Sequence, residues 1–316
     1  MIDGTNYNKI EWHCPESFGK QRMLDTIKAR SWDLVSLLVM NFIWAGTYPA
    51  TAFALISLSA PLLTLIRLGT GSIVMMPFLW RSVRSWTAPA IGRVMILGVV
   101  GFSLPLVLQT QGLKASTPAM AAISIALEPL VTAVMAGLWL KQSLPVARRW
   151  ALVIASAGAW AIAGFPRPGV KGYILGDGLL VLAVVCFAVY NVSSASLSRY
   201  LGPGEATAGT FLAGFIGTVP IWLVTGARIP VVWKLPSLEA TAYLALLGTA
   251  LAYFLWMHTA SRIPVALMAL FLYLQPVLGV VLSILFTPSH VGWPFIIGSL
   301  AILGALYIGR DPRQRA

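Results

Sequence analysis

Ten predominantly apolar stretches, each about as long as a bilayer is thick, follow one another along the chain with only short polar breaks between them. A helix rises about 1.5 Å per residue, so about 20 residues cross the roughly 30 Å of hydrocarbon in a membrane. The stretches fall at roughly 33–55, 60–80, 92–112, 118–140, 147–165, 176–198, 206–226, 237–258, 265–287 and 292–309. Charges, glycines and prolines mark the separators, as expected of loops. The break between the third and fourth stretches rests on Lys114 and Pro118. Only 10% of the 316 residues are charged while 58% are hydrophobic, against about 25% charged in a soluble domain. The chain lacks the charge to cover a surface facing water. The expected class is an all-α membrane protein in a lipid bilayer.

The net charge of +12 does not point to nucleic acid, because the basic residues are scattered between the apolar stretches. Their distribution reads as membrane orientation. Segments outside the spans, numbered alternately from the N-terminus, divide the Lys and Arg residues 16 to 5, with Arg67 inside a span. The poorer set is Lys114, Arg167, Lys171, Arg228 and Lys234. This bias predicts both termini in the cytoplasm and an even number of spans. Residues 1–31 form the expected cytoplasmic N-terminal tail and 310–316 the C-terminal tail. The apolar stretch near Trp32 starts too late and runs too long for a cleaved signal peptide. Within the tail, residues 18–31 fit a short interfacial helix, with Met23, Leu24 and Ile27 on one face, or a disordered segment.

Two segments match at an offset of 147 residues. Gln111, Ala119, Ala122 and Leu127-Glu128-Pro129-Leu130 align with His258, Ala266, Ala269 and Leu274-Gln275-Pro276-Val277. The repeat so defined holds five spans, over 32–165 and 176–309. An odd number forces the second copy to enter the membrane with opposite polarity. Ten transmembrane helices as two inverted five-helix repeats are therefore expected, with a solute site near the midplane between them.

Ionisable residues inside a membrane cost about 2.5–3.5 kcal/mol at a helix centre and mark functional sites. Glu128 lies near the middle of the fourth span, and Arg67 lies well inside the second. Arg67 fits three roles: binding a carboxylate or phosphate, reaching the outer interface, or pairing with Glu128. His258 ends the eighth span. Pro129 and Pro276 each remove a backbone donor beside a polar side chain, which predicts two kinks around a central cavity. The neutral polar residues inside spans are Asn41, Gln109, Gln111, Asn191 and Gln275. With Trp44, Tyr190, Phe254, Trp256, Phe271 and Tyr273 they fit an amphipathic pocket for an apolar or aromatic solute. Asn41, Gln111, Asn191, Gln275, Trp44, Tyr190 and Tyr273 complete the candidate substrate path. Hydrogen bonding between helices explains any single member of this set equally well. Gly46, Gly69, Gly71, Gly158, Gly164, Gly214, Gly217, Gly298 and Gly304 read as close helix contacts. Cys14 and Cys186 have no Cys/His ligand spacing around them, so neither a metal site nor a cofactor is expected.

These motifs resemble the EamA family of the drug/metabolite transporter superfamily. The resemblance spans roughly residues 35–309. It is carried by Asn41 with Trp44-Ala45-Gly46, by Arg67-Leu68, by Ala126-Leu127-Glu128-Pro129-Leu130 and by Leu274-Gln275-Pro276-Val277. One departure stands out. The family closes its fourth and ninth helices on Leu-Gly-Glu, where this chain reads Leu140-Lys141-Gln142 and Phe286-Thr287-Pro288. The resemblance implies export of small metabolites, amino acids or related compounds, across a bacterial inner membrane. A sugar-phosphate or nucleotide-sugar exchanger of the same superfamily wants more basic groups in its cavity than Arg67.

Other classes fit less well. An intramembrane enzyme needs an acid/base pair, whereas Glu128 stands alone at depth and Asp177 lies near a span end. No serine-nucleophile or Asp-rich prenyl motif is present, so the chain is not expected to be an enzyme. Loops this short leave no room for a receptor domain. No nucleotide-binding Gly-x-x-x-x-Gly-Lys-Ser/Thr motif occurs. That leaves proton exchange through Glu128 or facilitated diffusion as the coupling.

Overall fold

The computed structural model describes residues 16–82, 86–116, 118–142, 144–162, 174–225, 229, 233–286 and 292–309. Among these residues the secondary structure is helical throughout. Residues 1–15 of the expected N-terminal tail, the whole expected C-terminal tail 310–316 and the connection over 163–173, with Gly164, lie outside the described residues.

Residues before 163 form α1 (Glu16–Ala45), α2 (Thr47–Ala54), α3 (Ala60–Ser82), α4 (Ala88–Gly98), α5 (Leu104–Ala115), α6 (Pro118–Trp139) and α7 (Val146–Ile162). The rest form α8 (Ile174–Leu197), α9 (Pro203–Val224), α10 (Leu235–Ala245), α11 (Ala252–Ala260), α12 (Val265–Leu272), α13 (Leu274–Phe286) and α14 (Trp293–Ile308). Two π-helical turns, Val99–Ser103 and Leu246–Leu251, join α4 to α5 and α10 to α11 into continuous helices. Six segments are long and apolar enough to cross a membrane: Ser31–Ala54, Ala60–Trp80, Ala88–Ala115, Ile174–Leu197, Pro203–Val224 and Leu235–Ala260. Shorter apolar helices cover Ala126–Trp139, Val265–Gly279 and Trp293–Ile308. The protein is a multi-pass membrane protein.

Local chemistry explains the breaks. Helix α5 stops where Ser116 turns extended, and Pro118 opens α6. Proline suits a helix start because it has no N–H to leave unpaired. At the end of α1, Tyr243 Oη donates 2.6 Å to the Ile43 carbonyl. It lies so close that a Cβ on Gly46 would stand 2.4 Å from it. Helix α1 itself runs unbroken from Glu16 to Ala45. Residues 18–31 are thus helical and lead without a break into the apolar segment that begins at Ser31.

The two halves of the sequence interleave. Helix α8 packs on α5 and α6, α1 packs on α11 and α13, α3 packs on α9, and α7 packs on α14. Close approach depends on glycine at the α7–α14 contact and at a further one between α4 and α9. A Cβ on Gly158 would lie 2.7 Å from the Gly298 carbonyl, and one on Gly298 would lie 2.4 Å from the Gly158 carbonyl. Gly98 and Gly214 face each other in the same way between α4 and α9. Lipid offers no hydrophobic drive for helices to associate, so small residues that bring backbones together supply the contact. Gly304 differs from the expectation: its side faces open space, with nothing within 4 Å of a Cβ.

Polar ties join the halves near helix ends. Arg262 donates to Asp33 at 3.5 Å, linking the α11–α12 turn to α1. Ser116 donates to Asp177, linking the end of α5 to the first turn of α8. Outside, Trp80, Leu138, Val224 and Leu300 are among many large apolar side chains left exposed. Such a surface is a liability in water and the required one in lipid.

Candidate functional site

A cavity opens where α1, α2, α3, α5, α6, α8, α11 and α13 converge. Its lining contains one cation, Arg67, and one carboxylate, Glu128. Trp44, Thr47, Thr51, Leu106, Gln109, Phe187, Asn191, Tyr253 and Gln275 complete it.

Arg67 is 5% exposed and projects from α3. Its Nε donates 3.0 Å to Thr249 Oγ1. Thr249 sits in the π-turn of residues 246–251 and donates 2.8 Å to the Leu244 carbonyl five residues back. A π-turn widens the helix and frees backbone acceptors, which is why such turns concentrate at functional sites. The adjacent Gly248 carbonyl accepts 3.2 Å from Trp44 Nε1. One irregular turn therefore orients both Arg67 and Trp44. Thr249 is the partner of Arg67; no ion pair forms between Arg67 and Glu128, and the side chain does not reach the outside.

Glu128 lies mid-helix in α6, beside Pro129. The missing N–H of Pro129 leaves the Ile125 carbonyl without its helical donor. Asn191 Nδ2, on α8, donates 3.3 Å to Glu128 Oε1 and lies 3.3 Å from Thr132 Oγ1. In the second half, Gln275 Nε2 donates 3.4 Å to Asn41 Oδ1, and Asn41 donates 2.7 Å to the Leu37 carbonyl. The two prolines are not alike. Helix α6 runs as one element across Pro129, whereas the second-half helix is interrupted at Tyr273, ahead of Pro276. Pro276 falls in the first turn of α13, where an N–H has no helical acceptor in any case. The two prolines thus sit in different helical settings.

Of the residues expected from the sequence, Trp44, Arg67, Glu128, Asn191 and Gln275 meet at the cavity, and Asn41 stands behind Gln275. Tyr190 is fully buried against Phe102 and Tyr253, with ring centroids 4.5 and 5.9 Å away. Tyr273 hydrogen-bonds Ser156 on α7, in the packing of α7 and α14. His258 lies on the last turn of α11, 6.3 Å from the Phe254 ring. Gln111 is absent from the lining while Gln109 is present. Residues two apart on a helix do not share a face.

Leu106, Phe187, Tyr253, Thr47 and Thr51 line the cavity without having been singled out in the sequence. A signal for two of them exists. Trp44 and Asn191, Leu106 and Tyr253, and Glu128 and Gln275 are all pairs 147 residues apart. The two π-turns begin at Val99 and Leu246, with the same separation.

The profile of the EamA-like transporter family matches residues 31–164 and again 174–309. The chain belongs to the EamA-like transporter family. Its membership makes it a transporter rather than an enzyme. It is similar to the threonine/homoserine exporter RhtA of Salmonella typhimurium, 27% identical over 89% of this chain and 93% of that protein. It is also similar to a probable terminal-alkyne amino-acid exporter of Streptantibioticus cattleyicolor, 28% identical over 88% of this chain and 93% of that one. A solved crystal structure 20% identical shares the fold, with a TM-score of 0.76 over 90% of this chain and 98% of its own.

The structure accounts for one departure from the EamA pattern. Lys141 occupies the place of the family's glycine at the end of α6 with φ 51°, the left-handed region. Gln142, in place of the acid, accepts 3.1 Å from the Ala266 N–H at the start of α12. That capping bond needs an acceptor and no charge.

Proposed function

We propose that the chain is a secondary transporter that exports small metabolites, amino acids or related compounds, across a bacterial inner membrane. It works by alternating access between two inverted five-helix repeats, 32–165 and 176–309, with ten spans and cytoplasmic termini. The observation that carries this reading is a polar cavity in the middle of apolar helices, lined by residues paired 147 apart from both halves. A site built from equivalent positions of two repeats opens to either side as the repeats rock. The double match of the family profile and the 16-to-5 bias of basic residues support the same topology. The names of the two exporters supply the substrate class. In this reading Arg67, Glu128, Asn191, Gln275, Asn41 and Trp44 form the solute path, and protons exchange through Glu128.

The test is flux into proteoliposomes of the purified protein, assayed over amino acids, sugars and drugs. Saturable uptake of amino acids, raised by a proton gradient in the wild type and indifferent to it in Glu128→Gln, is expected. No solute-dependent flux would refute the transporter reading, and a Glu128→Gln variant with unchanged gradient dependence would refute the proton route.

A further inference from the structure

We infer that the cavity takes its solute as a zwitterion, an α-carboxylate on the two terminal nitrogens of Arg67 and an α-ammonium on Glu128. This rests on the transporter reading above and names how the same site selects. Arg67 and Glu128 are the cation and the acid among the lining residues. Neither neutralises the other. Arg67 is held through Nε by Thr249 from the π-turn, and Glu128 through Oε1 by Asn191 from α8. The guanidinium's two terminal nitrogens have no hydrogen bond from the described residues, although the side chain is 5% exposed. Five N–H donors sit in a fixed fork on an arginine, and the outer pair matches a carboxylate.

A buried charge without a partner is costly. Two opposite charges tethered on separate helices and facing one cavity leave two costs, which a single solute carrying both signs relieves together. A simple carboxylate leaves Glu128 unpaired, and a simple amine leaves Arg67 unpaired. A basic or acidic side chain brings a third charge for which the lining has no counterpart. Beyond the charges, Trp44, Phe187 and Tyr253 offer apolar surface, while Thr47 and Thr51 offer hydroxyls. Neutral α-amino acids of modest size, with or without a side-chain hydroxyl, meet that description.

The experiment is counterflow of labelled L-threonine in proteoliposomes, with unlabelled competitors. L-threonine is expected to compete at least about tenfold better than N-acetyl-L-threonine, which lacks the ammonium, and than L-threonine methyl ester, which lacks the carboxylate. A charged hydrogen bond lost at a buried site is worth that factor. Either analogue competing as well as threonine overturns the zwitterion reading while leaving transport intact. Variants assign the two ends. Glu128→Gln should erase the preference over the N-acetyl compound, and Arg67→Gln the preference over the ester, with Arg67→Lys retaining part of it. Retained preferences in well-folded variants would overturn the assignment. If those variants do not fold, the wild-type competition series decides alone. Absence of counterflow with every amino acid would overturn both readings.

Discussion

The Glu128-Pro129 and Gln275-Pro276 positions occupy equivalent places in the sequence and reach the same cavity, yet they are built differently. In the first half a carboxylate rides on an unbroken helix whose proline costs a backbone bond. In the second half a neutral amide opens a new helix after a break at Tyr273, and its proline costs none. The amide is tied to Asn41 within α1, and the carboxylate to Asn191 on α8. The difference teaches that the two matched segments supply equivalent positions while the charge is placed in one of them. The charges of the cavity, Arg67 and Glu128, both come from the first half. Their tethers, Thr249 and Asn191, both come from the second.

The asymmetry is open to attack at several strengths. Charge should matter most. Glu128→Gln is expected to lower amino-acid flux about tenfold or more, the worth of a buried charged interaction. Gln275→Ala, which removes a neutral hydrogen bond of about 1 kcal/mol, is expected to lower it only a few-fold. Equal losses would dissolve the distinction between the halves. Next come the prolines. Pro129→Ala restores a donor for the Ile125 carbonyl and is expected to raise the melting temperature in detergent, for a gain of about 1–3 kcal/mol. Pro276→Ala should leave it nearly unchanged, since the first turn of α13 has no acceptor to offer.

A smaller effect is expected at Lys141. A side chain at φ 51° costs about 1–2 kcal/mol relative to glycine, so Lys141→Gly should be stabilising in the same thermal assay. Smallest is Asp33→Asn. Its partner Arg262 has a half-exposed side chain, and such pairs contribute at most about 1 kcal/mol. A shift in melting temperature larger than that of Lys141→Gly would show that this tie does more than its exposure implies.

Much of this frame is legible in the sequence, because lipid enforces it. Apolar stretches of span length and the 147-residue offset expose the helices, and Glu128 stands out because an acid at that depth is rare. Facing is harder to read. Tyr190 and Asn191 are neighbours on α8, but about 100° apart around the helix, so one enters an aromatic cluster and the other the cavity. Each π-turn carries a glycine, Gly101 and Gly248, 147 residues apart, but a glycine alone does not announce a π-turn, and the turn decides where Thr249 and the Gly248 carbonyl point. Tyr253 was hidden for a related reason. Its equivalent is Leu106, an unremarkable apolar residue, so the pairing gains meaning only once both are seen to line one space.

Access to that shared space from both sides of the membrane is the centre of the account. Thr51→Cys, in a background of Cys14→Ser and Cys186→Ser, places one thiol on the cavity wall. Reaction with a membrane-impermeant thiol reagent applied to either face of oriented vesicles is the direct measurement. The account predicts labelling from both faces, slowed by L-threonine. Labelling from one face alone, unaffected by any amino acid, would contradict it.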